Sequence, residues 1–265
     1  MTKKNKSAIQ RRLIPTYIFL IIVSFISVFP LYWMISAATN TSTDVSRGRI
    51  IPGSHFMENF RNLTSQQPLW RALGNSFFYA ILTTVICLLI CSIAGYGFEV
   101  YHDKWKDRVF SILLLAMMVP QVATMVPLFK MFSKAGLLNT AVGFILPIIS
   151  TPFMIMMFRQ NARSFPVDII EAARIDGLNE VRIFFQMFIP TMKSTYAAAA
   201  VITFMNAWNS YLWPKVIMTD NKAMTMPMLI ANLITGYVTD YGMLMCGVLF
   251  LSLIHISEPT RRSYI

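Results

Sequence analysis

Charged residues are scarce in this sequence. They make up 13% of its 265 residues, and hydrophobic residues make up 55%. An average soluble domain carries about 25% charged residues. Six apolar spans of about 20 residues would use about 120 positions, which this composition can supply. The balance excludes a disordered chain, a disulfide scaffold and an ordinary cytosolic enzyme.

Residues that carry chemistry are also few. Of the three cysteines, Cys87 and Cys91 lie one helical turn apart in an apolar run. Because no histidine or carboxylate joins them, packing is favoured over a two-ligand metal site. Outside the C-terminal tail, His55 and His102 are far apart, and no Walker-type phosphate loop occurs. We therefore expect no catalytic residue, no metal and no cofactor, which disfavours an integral-membrane enzyme.

The net charge of +11 is compatible with two kinds of partner. A nucleic-acid-binding protein clusters its basic residues on one solvated face. Here the basic residues fall in short stretches between apolar runs, which is typical of a membrane protein that keeps them in the cytoplasm. We therefore expect a lipid bilayer around the chain and no nucleic acid as a partner.

Six apolar runs predict six membrane helices. They are Ile14–Ala38, Asn75–Phe98, Val109–Phe129, Ala141–Phe158, Tyr196–Met218 and the broken run Val238–Leu251. The first run exceeds the about 7–15 residues of a signal-peptide core, so we interpret it as an uncleaved span. Residues 1–12 then form a cytoplasmic N-terminus, residues 13–74 the first span with an extracytoplasmic loop, and residues 75–250 a transmembrane domain.

The distribution of basic residues predicts the orientation. With the N-terminus inside, the cytoplasmic segments hold 13 lysines and arginines, and the outside segments hold 8. Positive charge is retained on the cytoplasmic side of membrane proteins. The sequence therefore predicts a multi-pass protein whose N-terminus is cytoplasmic.

The segment 159–194 is long for a connection between membrane helices. Pro166 can open a helix, and the carboxylate of Glu171 suits the early part of that helix. Asp176-Gly177 predicts a turn. A second amphipathic stretch follows, and Pro190 is predicted to end it before the next span.

The residues alone leave two interpretations of this segment open. One is an interfacial helix that rests on lipid headgroups; the other is a rigid knob that another protein contacts. In either case one face of each short helix is expected to be buried. The side chains predicted to be buried are Ile169, Ile170, Ala173, Ile183, Phe184, Phe185 and Phe188.

The spacing inside this segment resembles a known family. Glu171-Ala172-Ala173 is followed after three residues by Gly177, and after nine more by Met187-Phe188-Ile189-Pro190. This is similar to the cytoplasmic signature of ABC importer permeases, which is Glu-Ala-Ala, three residues, Gly, nine residues and Ile-x-Leu-Pro. Met187 and Ile189 depart mildly from it.

Further stretches narrow the resemblance to the maltose-type carbohydrate permeases, and within them to the shorter, second permease subunit. These stretches are Gly74-Asn75-Ser76, Met118–Phe129, Gly136–Thr140, Ala207–Pro214 and Asp240–Gly247. The resemblance covers about residues 12 to 250 and implies an all-α membrane protein. The implied fold is a six-helix type I ABC importer permease bundle with a cytoplasmic coupling-helix loop, here residues 159–194 and hereafter the coupling loop.

The resemblance also implies an assembly in a bacterial or archaeal cell membrane. Its members are a homologous second permease subunit, two ATP-binding cassette ATPase subunits and an extracytoplasmic sugar-binding protein. The chain would then be the permease subunit of an ATP-driven carbohydrate importer, without enzymatic activity of its own. A related permease for a polyamine, a peptide or another small solute is the alternative.

Residue roles in the coupling loop come from the resemblance. It implies that Glu171 makes the polar contact with the ATPase and that Ala172 and Ala173 permit close approach. Asp176 and Gly177 would form the turn, and Pro190 closes the motif. The implied mechanism is alternating access, a shift between two packed states rather than a chemical step in this chain.

Polar residues inside the apolar runs are candidates for the solute path. Gln121, Asn206 and Asn209 lie within predicted spans, and intramembrane polar groups are costly enough to mark such a path. The aromatic side chains of Trp208, Tyr211 and Trp213 are able to stack on a sugar ring. Hydrogen bonding between helices and anchoring at the membrane interface are the competing explanations.

The C-terminal residues 251–265 are expected to be foreign. Leu251-Ser-Leu-Ile-His-Ile-Ser-Glu-Pro-Thr-Arg261 reads as one translated frame of a transposase-type sequencing adaptor. In addition, the apolar run from Tyr241 to Phe250 is shorter than the about 20 residues of a span. We therefore assign no function to this segment.

Overall fold

The computed structural model describes residues 3–235 and 239–256. Within them the regular structure is entirely helical, which confirms the all-α prediction. The first α-helices in chain order are α1 (Lys3–Ala38), α2 (Ser42–Ser46), α3 (Phe56–Gln66), α4 (Leu69–Val100), α5 (Lys104–Ala116), α6 (Gln121–Lys134), α7 (Ala141–Ile145) and α8 (Pro152–Ala162).

The remaining α-helices are α9 (Val167–Ile175), α10 (Glu180–Ile183), α11 (Ile189–Thr191), α12 (Lys193–Trp208), α13 (Leu212–Ile217), α14 (Met226–Ile234) and α15 (Tyr241–Ile256). A π-helix, Phe184–Phe188, joins α10 to α11, and a 3-10 turn, Asn221–Ala223, precedes α14.

Two helices in the described ranges are long and apolar enough to cross a bilayer by themselves. They are α1, over the 25 residues Ile14–Ala38, and α4, with 32 residues. Helices α5 and α6 add a third candidate span as a pair that is bent by 100°. The predicted sixth run begins at Val238, outside the described residues, and its described part is α15.

The predicted third, fourth and fifth spans are interrupted rather than continuous. The breaks fall at 117–120, 146–151 and 209–211. Pro120 and Pro147 account for the first two, since proline has no backbone N–H and disfavours helical geometry in the residue before it. The third break lies at Asn209-Ser210, whose side chains compete for backbone hydrogen bonds.

The described chain divides into two compact units. Residues 70–229 form one, and the segments before and after them form the other. In the unit of the two terminal segments, α15 packs on α1, α2 and α3. Buried Asn59 of α3 donates through Nδ2 to the carbonyls of Ala38 and Asn40, each at 2.9 Å. These bonds tie the end of α1 to α3.

Helix α15 needs a glycine where it meets this polar group. A methyl group on Gly242 would lie 2.7 Å from Asn59 Oδ1 and 2.8 Å from the Asn40 carbonyl. The helix then continues past Leu251, where the foreign segment is expected to begin, as far as Ile256. Residues 257–265 lie outside the described residues.

In the unit of residues 70–229, α4 packs against α8 at Gly95. A methyl group there would lie 2.6 Å from Phe158 Cβ and 2.8 Å from the Arg159 nitrogen. By contrast, a methyl group on Gly97, two residues further along α4, would meet nothing within 4 Å. Only the first of the two glycines is therefore required by the contact between the helices.

We expect Gly95→Ala to destabilise the protein and Gly97→Ala to leave it unchanged or more stable. Overpacking a tight contact costs about 1–3 kcal/mol, whereas replacing an unconstrained helical glycine by alanine gains up to about 1 kcal/mol. Thermal unfolding of the detergent-solubilised protein measures both effects. If Gly95→Ala is as stable as wild type, α4 and α8 do not approach each other in this way.

Candidate functional site

The first helix of the coupling loop lies where the sequence predicts it. Helix α9 begins after Pro166. At its end Gly177 adopts a φ of +81°, and its N–H donates to the Arg174 carbonyl at 3.0 Å. The N–H of Leu178 donates to the Ala173 carbonyl, also at 3.0 Å. These two hydrogen bonds form a Schellman motif. The motif favours glycine at position 177 because the residue there adopts a left-handed backbone conformation.

The motif residues fall on two faces of α9. Glu171 and Ala172 are exposed, as are Asp176 and Gly177 in the turn. Ala173, by contrast, is 3% exposed and packs into the chain's own interior. The small side chain of Ala173 therefore permits close approach between α9 and the rest of this unit.

A buried cluster holds the coupling loop against α4, and we call it the loop core. Its members are Tyr96, Ala162, Phe165, Ile170, Ala173, Ile183, Phe184, Phe188 and Met192. The ring of Tyr96 on α4 lies 4.8 Å from the ring of Phe188 and 5.4 Å from that of Phe184. Aromatic pairs at these distances add to the stabilisation from burial.

The predicted buried faces agree with the loop core at most positions. The exceptions are Ile169 and Phe185, which are 39% and 50% exposed. The prediction that Pro190 ends the second helix is also corrected, because the backbone stays helical through α11 and breaks at Met192. Pro190 lies in the first turn of α11, where proline is tolerated.

Arg174 joins the two halves of the coupling loop. Its Nε donates to Glu180 Oε1 at 2.7 Å, and its guanidinium lies 6.0 Å from the ring centre of Tyr101. The bond from Arg174 holds the pKa of the Glu180 carboxyl below its usual range. The pair is thus fully formed above the usual glutamate pKa and is lost as the pH falls through the lowered value. Both side chains are partly exposed, so the pair contributes little to stability.

A second ionic group ties α8 to α4 and α5. The side chain of Arg159 is 7% exposed and donates through Nε to Glu99 Oε2 at 3.2 Å. Its Nη2 donates to Asp107 Oδ1 at 2.6 Å. The guanidinium also lies 4.4 Å from the ring centre of Phe110. Arg159 therefore holds three helix ends together.

Sequence reasoning missed this group. It used Arg159 only as one of the basic residues that set the orientation. The sequence did contain a signal for it. Two carboxylates, Glu99 and Asp107, lie next to the ends of predicted spans on the same side of the membrane as Arg159.

The three candidate path residues meet in one cavity. Gln121 of α6, Asn206 of α12 and Asn209 just beyond α12 all line a cavity of about 760 Å³ within the unit of residues 70–229. Small-ligand sites occupy about 300–1,000 Å³. The structure thus brings together side chains that lie about 90 positions apart in the sequence.

All three helix breaks open onto this cavity. Its wall includes Val119 from the first break, Pro147 and Ile148 from the second, and Ser210 and Tyr211 from the third. Backbone groups freed by a break at membrane depth are tolerated where they line a cavity or are buried in protein. The interruptions and the cavity are consequently one structural feature.

The cavity wall is polar and uncharged. Among the described residues, none that lines it is Asp, Glu, Lys, Arg or His. Its side-chain hydroxyls include Thr83 on α4 and Thr203 on α12, and both hydroxyl oxygens are buried. Sequence reasoning did not single out these threonines.

The aromatic residues near the cavity are mostly structural. Trp208 is 1% exposed and its ring lies 4.8 Å from that of Phe77. The indole of Trp213 donates to the Gly143 carbonyl at 3.0 Å. Tyr211 is half-buried on the cavity wall, so it is the aromatic side chain of this group that is placed to contact a solute.

Known proteins resemble the chain over most of its length. The family described as "Binding-protein-dependent transport system inner membrane component" matches residues 88–258. The lactose transport system permease protein LacG of Rhizobium radiobacter is 39% identical over 249 residues, which cover 93% of this chain and 91% of that protein. The arabinooligosaccharides transport system permease protein AraQ of Halalkalibacterium halodurans is 36% identical over 230 residues, 85% of this chain and 82% of that protein.

The chain is also similar to a third transport permease and to a transporter of known structure. The sn-glycerol-3-phosphate transport system permease protein UgpE of Escherichia coli is 32% identical over 200 residues, 72% of this chain and 71% of that protein. A crystal structure of a bacterial ABC transporter involved in the import of the acidic polysaccharide alginate matches with a TM-score of 0.81 and 19% identity. That match covers 97% of this chain and 95% of the other. At this identity the match shows the fold.

We expect Arg159→Gln to lower the free energy of unfolding by about 1–3 kcal/mol, because it removes the buried guanidinium that Glu99 and Asp107 share and leaves them only the exposed side chains of Arg163 and His102. Arg163 is the matched control. It lies one helical turn later, at the end of α8, and 3.5 Å from Glu99, but it is 54% exposed, so Arg163→Gln should cost less than about 1 kcal/mol. Urea or thermal unfolding in detergent measures both variants, and equal losses would contradict the role given to Arg159.

Proposed function

Because the chain belongs to the family of binding-protein-dependent transport system inner membrane components, we propose that it is a permease subunit of an ATP-driven sugar importer. It has the fold of a type I ABC importer permease. The cavity is its part of the solute path, and α9 is its contact with an ATPase subunit. The single observation that carries this function is that one unit combines an uncharged polar cavity with an exposed coupling helix.

A sugar suits the cavity better than a polyamine does. Two of the relatives are permeases of lactose and arabinooligosaccharides transport systems. Sugars carry many hydroxyl groups, and the amides of Gln121 and Asn206 both donate and accept hydrogen bonds. A polyamine is a polycation and would need carboxylates at membrane depth. Among the described residues, the cavity wall has none.

The exposed face of α9 supports a protein partner over lipid. Asp168, Glu171 and Asp176 are exposed carboxylates there, and they oppose binding to an anionic membrane surface. The same turn exposes Ile175 at 86%. An apolar side chain beside carboxylates and the small Ala172 suits a docking surface for a folded protein. The partners of the chain are then two ATPase subunits, a homologous second permease and an extracytoplasmic binding protein.

Force on α9 has a direct route to the cavity. The loop core fixes α9 to α4 through Tyr96, and Arg159 fixes α8 to α4 and α5. Helix α4 supplies Thr83 and Cys87 to the cavity wall, and α8 supplies Met154. ATP-driven movement of the ATPase pair thus shifts helices that line the path, as a change between two packed arrangements. No chemical step occurs in this chain.

The chain is an inner-membrane protein, and we propose that its N-terminus is cytoplasmic. The support is the excess of basic residues in the segments assigned to the cytoplasm, 13 against 8. In this orientation the coupling loop faces the ATPase subunits. The turn after α6, at Gly136, faces the opposite side of the membrane.

We expect Gly177→Pro to reduce ATP-driven sugar uptake at least tenfold while leaving insertion into the membrane intact. Proline requires a negative φ and has no N–H, whereas Gly177 has a φ of +81° and donates to Arg174. Uptake into proteoliposomes that contain the whole transporter measures the effect.

Gly136→Pro is the matched control. Gly136 also has a positive φ, of +68°, and ends α6 with the same pair of hydrogen bonds, from Gly136 to Ser133 and from Leu137 to Phe132. Proline should therefore disturb both helix ends to the same degree, but only position 177 lies in the proposed contact with the ATPase. Normal uptake by Gly177→Pro, or equal loss in both variants, would refute the coupling assignment.

A further inference from the structure

We propose that a groove between the end of α4 and the start of α5 binds a phospholipid with an anionic head group. The groove has a volume of about 530 Å³ and lies within the unit of residues 70–229. The inference goes beyond the proposed function, because it concerns the outer surface of the chain and not the solute path. The residues that line the groove include Ala94, Gly97, Phe98, Tyr101, Trp105 and Lys106.

The part of the groove on α4 is apolar and lies at membrane depth. Gly97 and Phe98 end the predicted second span, and α4 is long and apolar enough to cross a bilayer. A methyl group on Gly97 would meet nothing within 4 Å, so no other side chain fills the groove there. Leu89 and Ile93 are 43% and 49% exposed, and their spacing of four places them on the same face of α4 as Gly97. An acyl chain can therefore lie along this face and enter the groove.

The other end of the groove has residues typical of a membrane interface. Trp105 is 69% exposed and Tyr101 is 40% exposed. Tryptophan and tyrosine favour the level of the lipid head groups. The guanidinium of Arg174 in the coupling loop lies 6.0 Å from the ring centre of Tyr101. This end of the groove is therefore on the same side of the membrane as the coupling loop.

Two basic side chains next to Trp105 are available to bind a phosphate. Lys104 and Arg108 are both exposed and lie one turn apart on α5. None of the ion pairs among the described residues includes either of them. Basic pockets between membrane helices on the cytoplasmic side bind the head groups of anionic lipids.

The nearby carboxylates do not cancel this positive charge. Asp103 accepts from Lys106 Nζ at 2.9 Å and also caps the first turn of α5. Asp107 accepts from Arg159 Nη2 at 2.6 Å. Each of these carboxylates thus has a cation of its own, and the charge of the two exposed basic side chains remains.

These properties together select one kind of occupant. It has to be apolar where the groove lies at membrane depth and negatively charged where the groove reaches the surface. A cytosolic protein cannot enter the apolar part, and an apolar helix of the partner permease would leave the basic pair without a counter-ion. An anionic phospholipid meets both requirements, because its acyl chain packs on α4 while its phosphate binds Lys104 and Arg108.

The experiment places the whole transporter in phosphatidylcholine vesicles that contain a small fraction of a lipid with a diazirine in its acyl chain. This probe is phosphatidylglycerol in one sample and phosphatidylcholine with the same acyl chains in the other. After irradiation and proteolysis, mass spectrometry counts the lipid adducts on residues 89–113. We expect the phosphatidylglycerol probe to label this segment of the wild type at least threefold more than the phosphatidylcholine probe.

A glutamine pair tests the contribution of charge. Lys104→Gln with Arg108→Gln should lower labelling by the phosphatidylglycerol probe at least threefold, to the level of the phosphatidylcholine probe. Lys130→Gln with Lys134→Gln is the matched control, because these two lysines are also exposed and four positions apart, on α6. In this control the labelling of residues 89–113 should change less than twofold.

A leucine at position 97 tests the contribution of the groove itself. Gly97→Leu fills the groove and should lower labelling by both probes at least threefold. Gly74→Leu is its control at the other end of α4, where a methyl group also meets nothing within 4 Å, and it should leave the labelling unchanged.

Three results would overturn the inference. One is equal labelling of the wild type by the two probes. Another is phosphatidylglycerol labelling that persists at the wild-type level in the glutamine pair or in Gly97→Leu. The third is the absence of adducts on residues 89–113 when other segments of the chain are labelled, which would show that another subunit covers the groove.

Discussion

In an apolar bilayer every backbone N–H and C=O needs a hydrogen-bond partner, and this requirement governs the structure. A break in a membrane helix has to be buried in protein or to face a polar space. In the unit of residues 70–229, the breaks at 117–120, 146–151 and 209–211 all contribute to one cavity. The prolines and polar residues that interrupt the helices thereby create a path at the depth where a solute must cross.

The same unit connects this path to an exposed helix. Aromatic packing around Tyr96 and the buried guanidinium of Arg159 act on the ends of α4 and α8. One contact is apolar and the other ionic, yet both fix the coupling loop to helices that reach the cavity wall. A close-packed interior transmits displacement rather than absorbing it. Because Glu171 and Ala172 point outward while Ala173 points inward, α9 has one face for a partner and one for this chain.

Local sequence patterns predicted those elements that neighbouring residues in the sequence determine. Helix α9 follows from Pro166 and the carboxylates after it, and the turn from Gly177. Intramembrane polarity also pointed to Gln121, Asn206 and Asn209, which the structure brings together. Pairing across the sequence was not predictable in this way. Arg159 is 60 residues from Glu99 and 52 from Asp107. The inward direction of Ala173 likewise depends on tertiary packing.

The most direct test of the account is photo-cross-linking from Ala172→Cys, labelled with a benzophenone maleimide in the whole transporter. The three native cysteines are buried, so the new thiol is the reactive one. Ala135→Cys, an exposed alanine after α6, is the matched control on the other side of the membrane. The account predicts that Ala172→Cys cross-links to the ATPase subunit and that Ala135→Cys does not. Cross-links from Ala172→Cys to lipid alone, or equal cross-linking from both positions, would contradict it.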